Sequence, residues 1–471
     1  MTHALQRSSP AKVALAGALA IALAGCASVS REEATGPARD WSQRTDAAAP
    51  MLYESVAQRD ALGAQRERLL AAPLTDTAAL QLALTHSPAL QALLAEGWRA
   101  QAEAAQRGAP PNPVFLFERV VTAGDVDITR MLGIGLTELI TWPWRRDVAQ
   151  RDIDALRLQL ARDVLAHNAA VRAAWVRAVA AQQLATYHRQ VQDAAAASAE
   201  LARRMQAVGN FSRLQRAREQ AFLADATTQL ARALAAATVE REALVRKLGL
   251  DADDAERLQL PDRLPDLPAM PRQGDAVARR AIDERLDLLL ARAQLGAAQH
   301  ALGLETVQLF DIELAAVSEL GPGGERGRGF EAGIRLPLLD PGIAMRQASS
   351  AKLLAAQNRF EQVRIEAGSV LREHYVLYRS AFDVARHQRD EVVPLKRLIT
   401  DEMLLKYNGM LVGVFELLAD ARAQVGTVIA AIEAQRDFWL ADAALNAAII
   451  GAPSTSAPMA AAGPTAERKG H

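Results

Sequence analysis

Cysteine is almost absent: the 471 residues contain one, Cys26, so no disulfide can form within the chain. Aromatic residues are scarce at 4%, which argues against a thick globular core built on large rings. Neither sign of charge dominates, with 54 Lys and Arg against 55 Asp and Glu, so no broad electrostatic attraction to nucleic acid is implied. No apolar run beyond the N-terminal region is long enough to read as a transmembrane helix. Histidines are few and scattered. His86, His167, His188, His300, His374 and His387 show no ligand spacing, so no metal site is expected. The glycine-rich stretch GPGGERGRG lacks a following Lys-Ser/Thr pair and leads into a strand, so it is a loop and not a phosphate cradle. With no nucleophile–base constellation either, neither catalysis nor a cofactor is expected. What the chain does have is 50% hydrophobic residues, many of them Ala, which suits long helices at close spacing.

The N-terminus carries the most specific short motif. Arg7 and Lys12 precede an apolar run over Val13–Leu23, followed by Leu23-Ala24-Gly25-Cys26. A basic start, a short apolar core and small residues before a cleavage point form an export signal over 1–25. Leu-Ala-Gly-Cys looks like a bacterial lipobox, whose cysteine is acylated and becomes the mature N-terminus. Ala27 in place of Asp favours, by the same likeness, outer-membrane delivery.

Two stretches organise the rest. Leu404–Gln424 brings a helix in from Asp401, breaks it at Asn408-Gly409 and sends it out again through Phe415. Met205–Gln220 does the same with Gly209-Asn210 at the break. Asn and Gly both tolerate the positive φ that such a reversal needs. Two hairpins with matching tips predict a duplicated chain.

In order, 26–74 reads as a lipidated tether followed by a polar helix, and 75–250 as a first structural repeat. That repeat opens with a helix interrupted at Ser87-Pro88, then strands at about 114–121 and 130–140 separated by the loop TAGDVDIT. Trp142-Pro143-Trp144 closes the second strand. From Arg146 to Ala207 there is no proline or glycine, which allows a helix of about 60 residues, roughly 90 Å long. Its apolar stripe is Ile153, Leu156, Leu160, Val164, Val171, Trp175 and Val179. Residues 251–272 form a proline-rich linker. A second repeat over 273–450 has strands at about 306–317 and 330–336, a long arm interrupted at Pro394, and the second tip. In it Arg285-Leu286-Asp287 stands near the place of Ser87-Pro88. The second arm carries two stripes: Val363, Val370, Leu377 and Val384, and beside them Leu371, Tyr375, Tyr378 and Phe382. Two stripes imply neighbours on two sides. Residues 451–471 read as a disordered tail.

The fold class is therefore mainly α with a small β part, a strand pair plus long helical hairpin occurring twice. Four strands cannot close a membrane barrel, which needs about eight. An unclosed sheet in lipid would leave backbone groups unsatisfied, so several chains must share one barrel if these strands span a membrane.

This organisation resembles the outer-membrane efflux channels of the TolC-like family over about residues 75–450. The resemblance rests on Gly108-Ala109-Pro110-Pro111-Asn112-Pro113 before the first strand and on the two tips. The nearest short match is Tyr407-Asn408-Gly409 followed by Glu416-Leu417-Leu418 and Asp420-Ala421-Arg422. It implies a homotrimer whose twelve-stranded β-barrel in the outer membrane stands on a long periplasmic α-helical barrel. Such a trimer is the passive exit duct of a tripartite efflux pump in a Gram-negative cell, with a periplasmic adaptor protein and an inner-membrane transporter as partners. By the same resemblance Glu416 and Asp420, one helical turn apart, are candidates for a pore constriction, although the tip has one residue more than the family's usual Leu-Asp-Ala spacing. Gly209, Asn210, Asn408 and Gly409 are candidates for adaptor docking, and Cys26 for lipidation. The competing reading is a lipid-anchored periplasmic coiled-coil adaptor or envelope spacer. In that reading Glu416 and Asp420 lie on a solvated face with Arg422 as ion partner. Adaptors carry a single hairpin between small β-rich modules, which the doubled strand-pair pattern opposes.

Overall fold

A computed structural model describes residues 28–45, 48–122, 125–275, 277, 285–307, 311–321, 324–336 and 338–452. The segment read as an export signal, Cys26 and the residues beyond 452 lie outside them. In chain order the elements are α1 (Arg31–Arg44), α2 (Val56–Ala61), α3 (Gly63–Leu70), α4 (Asp76–His86), α5 (Pro88–Arg107), β1 (Val114–Thr122) and β2 (Asp125–Gly135). There follow α6 (Leu136–Ala207), α7 (Arg213–Leu248), α8 (Ala252–Arg257), α9 (Leu286–Val307), β3 (Asp311–Leu320) and β4 (Arg326–Arg335). The last are α10 (Ile343–His387), a π-helical turn (Gln388–Val392), α11 (Val393–Asn408) and α12 (Val414–Ile450). The chain forms two compact units, each drawing on both sequence halves.

The first unit comprises Met1–Pro37, Leu94–Leu160 and Leu288–Ile365 and holds the sheet. Its four strands are antiparallel in the order β1-β2-β3-β4. The register aligns Phe115, Leu132, Ala316 and Phe330 in one cross-strand row, with Ile134, Leu314 and Ala332 in the next row on that face. Leu116, Met131, Val317 and Gly329 lie in a row on the opposite face, flanked by Glu118, Thr129, Glu319 and Gly327. These two rows make an apolar patch on one face, whose next rows carry Arg130 and Arg328 and then Arg119 and Arg326, and the other face mixes small, acidic and apolar residues. The patch is uncovered within the chain: Phe115 is 65% exposed and Phe330 80%.

The strand ends differ from the sequence reading. β2 starts at Asp125, because Thr122 pairs directly with Asp125 and the supposed TAGDVDIT loop is mostly ladder. It ends at Gly135, where pairing to Glu313 of β3 stops, so the strand read over 130–140 gives way to helix five residues early. Trp142-Pro143-Trp144 is then part of α6 rather than a strand end. Thr137 on its first turn accepts a hydrogen bond from the Ile312 amide, 2.9 Å, and the Trp142 indole donates to the Gly108 carbonyl, 3.1 Å. In the second repeat α9 persists to Val307, so β3 begins at Asp311 rather than 306. β4 reaches back to Arg326 through residues read as loop, because Arg326–Gly329 pair with Val317–Leu320.

The second unit comprises Ala38–Leu93, Ala161–Asp287 and Glu366–His471. Here the stripe of α6 is buried: Val164, Val171 and Val179 are fully inaccessible and Trp175 is 3% exposed. Val171, Trp175 and Val179 pack with Leu74, Leu82, Leu244 and Leu248, and the Trp175 indole donates to the Leu74 carbonyl, 2.7 Å. A second cluster gathers Tyr378, Phe382, Phe438 and Leu445. The duplication recurs at the helix ends. Gly249 closes α7 in the left-handed conformation at φ 73°, and a side chain there would collide with Ser87-Pro88. Gly451 closes α12 likewise at φ 71°, and a side chain there would collide with Asp287. Ser87-Pro88 does divide the N-terminal helix, with Ser87 extended and Pro88 opening α5, where its missing N–H costs nothing. Pro394 is accommodated by the π-helical turn before it, whose wider winding absorbs the lost hydrogen bond.

Candidate functional site: the hairpin tips

Both tips lie in the second unit, and each is built from a stop signal, a short reversal and a new helix start. At the first, Gly209 adopts φ 81° and the Asn210 amide donates back to the Met205 carbonyl, 2.9 Å. This satisfies a carbonyl that the end of α6 would otherwise leave open. Ser212 then starts α7 with a full capping box to Gln215. At the second, Gly409 keeps a negative φ of −82°, and the positive φ, 56°, falls on Met410 instead. Asn408 is the last residue of α11 and not part of the reversal itself. The Leu411 amide closes the turn onto the Lys406 carbonyl, 2.9 Å, and Gly413 precedes α12 in an extended conformation. Met410 is 93% exposed and Leu411 77%, while Val208 at the first tip is 72% exposed. Each tip therefore presents large apolar side chains to solvent.

Just behind the reversals the two hairpins are joined. Phe211 and Phe415, each a few residues past its break, stack at 4.5 Å between ring centroids. Deeper in, Arg422 of α12 contacts Glu219 of α7 at 2.5 Å, and the Glu219 side chain is only 3% exposed. The same carboxylate accepts a hydrogen bond from the Ser198 hydroxyl, 2.7 Å, and the guanidinium lies over the Phe222 ring, 4.5 Å from its centre. The Arg–Glu contact is close but not aligned as a hydrogen bond. On the outside of the first hairpin, Glu200 takes hydrogen bonds from Arg203 and Arg204, which hold its carboxyl down at about 2.

Glu416 and Asp420 do share a helix, but their surroundings differ. Glu416 is exposed, whereas Asp420 is half-buried and accepts a hydrogen bond from the Thr400 hydroxyl of α11, 2.7 Å. Arg422 engages Glu219 instead, so it is not the ion partner of Glu416 and Asp420 that the solvated-face reading gave them, while Glu416 itself is exposed. Glu219, Ser198, Phe211, Phe415 and Thr400 escaped the sequence reading. Only the phenylalanines had a usable signal, an aromatic shortly after each glycine break. Among the described residues no three His, Cys, Asp or Glu side chains gather as a metal site, and no helix is long and apolar enough to cross a membrane.

No family model matches the chain, and no curated protein matches it. Solved structures do. The outer membrane protein VceC of Vibrio cholerae superposes with a TM-score of 0.66 at 16% identity, over 85% of this chain and 100% of that one. The CmeC outer membrane channel of Campylobacter jejuni gives 0.67 at 14% identity, over 82% and 85%. The open state of the MtrE outer membrane channel of Neisseria gonorrhoeae gives 0.58 at 17%, over 79% and 88%. The chain has the TolC-like fold.

Proposed function

We propose that this protein is a passive outer-membrane exit duct of a tripartite efflux pump. The observation that carries the reading is the sheet: four antiparallel strands of about ten residues, with an exposed apolar patch on one face bordered by Arg130 and Arg328, and with β1 and β4 as edges that have no further partner strand among the described residues. Strands of that length suit a bilayer crossing, and unpaired edges in lipid demand further strands. Three copies supply twelve and close the ring. The exposed stripe of α10 supports the same assembly, since it offers each copy an apolar seam for a neighbour. Cys26 carries the lipid tether. The tips, with Gly209 and Asn210 at the first turn, Asn408 ending its helix before Gly409 at the second, and Val208, Met410 and Leu411 exposed on them, are the ground for a periplasmic adaptor, which links the duct to an inner-membrane transporter. The duct performs no chemistry. Glu416, the more exposed carboxylate, and Asp420 behind it set the charge at the constriction, where copies repeated about one axis favour cations.

The test is purification from membranes in detergent followed by reconstitution in planar bilayers. A stable trimer with discrete ion currents is expected, and Glu416→Ala with Asp420→Ala should lower its cation preference. A chain that is monomeric in plain buffer once Cys26 is replaced, and passes no current, overturns the reading.

A further inference from the structure

Away from tips and sheet, the second unit contains a cavity of about 700 Å³ between α1, α4, α6, the proline-rich linker and α12. That volume lies within the range of small-molecule sites, roughly 300–1,000 Å³. Leu80, Leu165 and Ile449 give it an apolar wall. The rest of its lining is polar and cationic: among the described residues Arg172 and Arg272 flank one carboxylate, Asp442. Arg272 pairs with Asp442 at 2.9 Å, and Asn446 donates to the same carboxylate, 3.0 Å. Two guanidiniums share that one acid among the described lining residues.

Asn168 and Arg172 stand one turn apart on α6. Asn168 is 6% exposed, yet neither atom of its amide has a hydrogen-bond partner among the described residues, and the Nε of Arg172 has none either. Buried amides are nearly always paired, because an unpaired one forfeits its bonds to water without replacement. Asn168 therefore presents one donor and one acceptor, beside a guanidinium donor, at the edge of an apolar-walled space.

We propose that this cavity binds a small organic carboxylate that also carries a hydroxyl on an apolar ring or chain. The carboxylate takes hydrogen bonds from Arg172 and the Asn168 amide nitrogen, the hydroxyl donates to the Asn168 carbonyl oxygen, and the hydrocarbon rests on the leucine and isoleucine wall. The site is independent of the duct reading and asks nothing of the sheet or the tips.

The experiment is calorimetric titration of the purified full chain with 4-hydroxybenzoate, using neutral 4-hydroxybenzyl alcohol for comparison. Saturable binding near one per chain is expected, weakened at least 10-fold for the alcohol and for Arg172→Gln. Asn168→Leu should also weaken binding at least 10-fold while raising the melting temperature of the ligand-free protein, because it removes the unpaired amide. That opposite movement separates a ligand site from a merely structural asparagine. No saturable uptake, equal binding of acid and alcohol, or undiminished binding by Asn168→Leu overturns the proposal.

Discussion

The two long arms of the duplicated unit share a plan and differ in what they cover. On α6 the apolar stripe is spent inside the chain, with Ile153, Val164, Val171, Trp175 and Val179 all buried. On α10 one stripe is used in the same way, Tyr378 and Phe382 being 1% exposed. The other stripe faces outward, with Leu377 42% and Val384 50% exposed, and Ile365 and Val376 beside it at 68% and 64%. Scattered surface apolar residues need no explanation, but a row at helical spacing does. The first arm is a core element of one chain. The second is half core and half exposed apolar stripe, and the sheet likewise has two edges, β1 and β4, with no partner strand among the described residues.

Breaking the comparison directly should give the largest effect. Val179→Asp places an unpaired carboxylate where no water reaches, which should cost on the order of 4 kcal/mol or more and leave the second unit unfolded in thermal denaturation. Leu377→Asp, the same change on the outward stripe, should leave the fold intact by circular dichroism and dissociate the assembly by native mass spectrometry. Equal damage from both would mean that the arms are equivalent.

The hairpins are tied to one another by a buried charge, so Arg422→Ala strands Glu219 and should cost about 3 kcal/mol in chemical denaturation. Glu416→Ala, on the same helix but exposed, should cost under about 0.5 kcal/mol.

Acid should separate the arms next. Burial, helped by the nearby charge of Lys247, holds His167 on α6 down to about 4, whereas His387 on α10 is exposed and paired with Glu391, 3.2 Å. A histidine depressed in the folded state is stabilising above its unfolded value near 6.5, and that stability is lost as pH falls toward 4. The loss is about 3 kcal/mol. His167→Gln should flatten the fall in melting temperature over that window.

The two matched helix ends should respond alike. Gly249→Ala and Gly451→Ala each force a side chain into a left-handed helix end packed against the start of its own repeat. Each should cost about 1–2 kcal/mol in the same denaturation assay. A large disparity between them would weaken the case for duplication.

Much of this was legible because helices and tips are punctuated locally. Gly209, Gly249, Pro88 and Pro394 each change the local backbone where they stand, and a period near 3.6 reveals the stripes without any knowledge of partners. The strand limits were harder. Alternation says where a strand can lie, but its ends are fixed by the neighbour's ladder, as Gly135 and Glu313 show. The second tip was misread in detail because Asn408-Gly409 looks like the left-handed pair, whereas the chain places Met410 there. The joint between the hairpins was not legible at all. Glu219 and Arg422 are some two hundred residues apart, and nothing in the stretch around either names the other.

The central claim is that each chain carries part of a closed barrel. Within one sheet β1 and β4 are three strand spacings apart, roughly 14 Å, far beyond disulfide reach. In a closed trimer, β4 of one copy instead pairs with β1 of the next. Chains carrying one cysteine on β1 and one on β4, in a small set of registers, should yield under oxidation a covalent species of three chains that withstands denaturing electrophoresis and reverts on reduction. Cross-links that never join more than two chains, or none in any register, would contradict the claim.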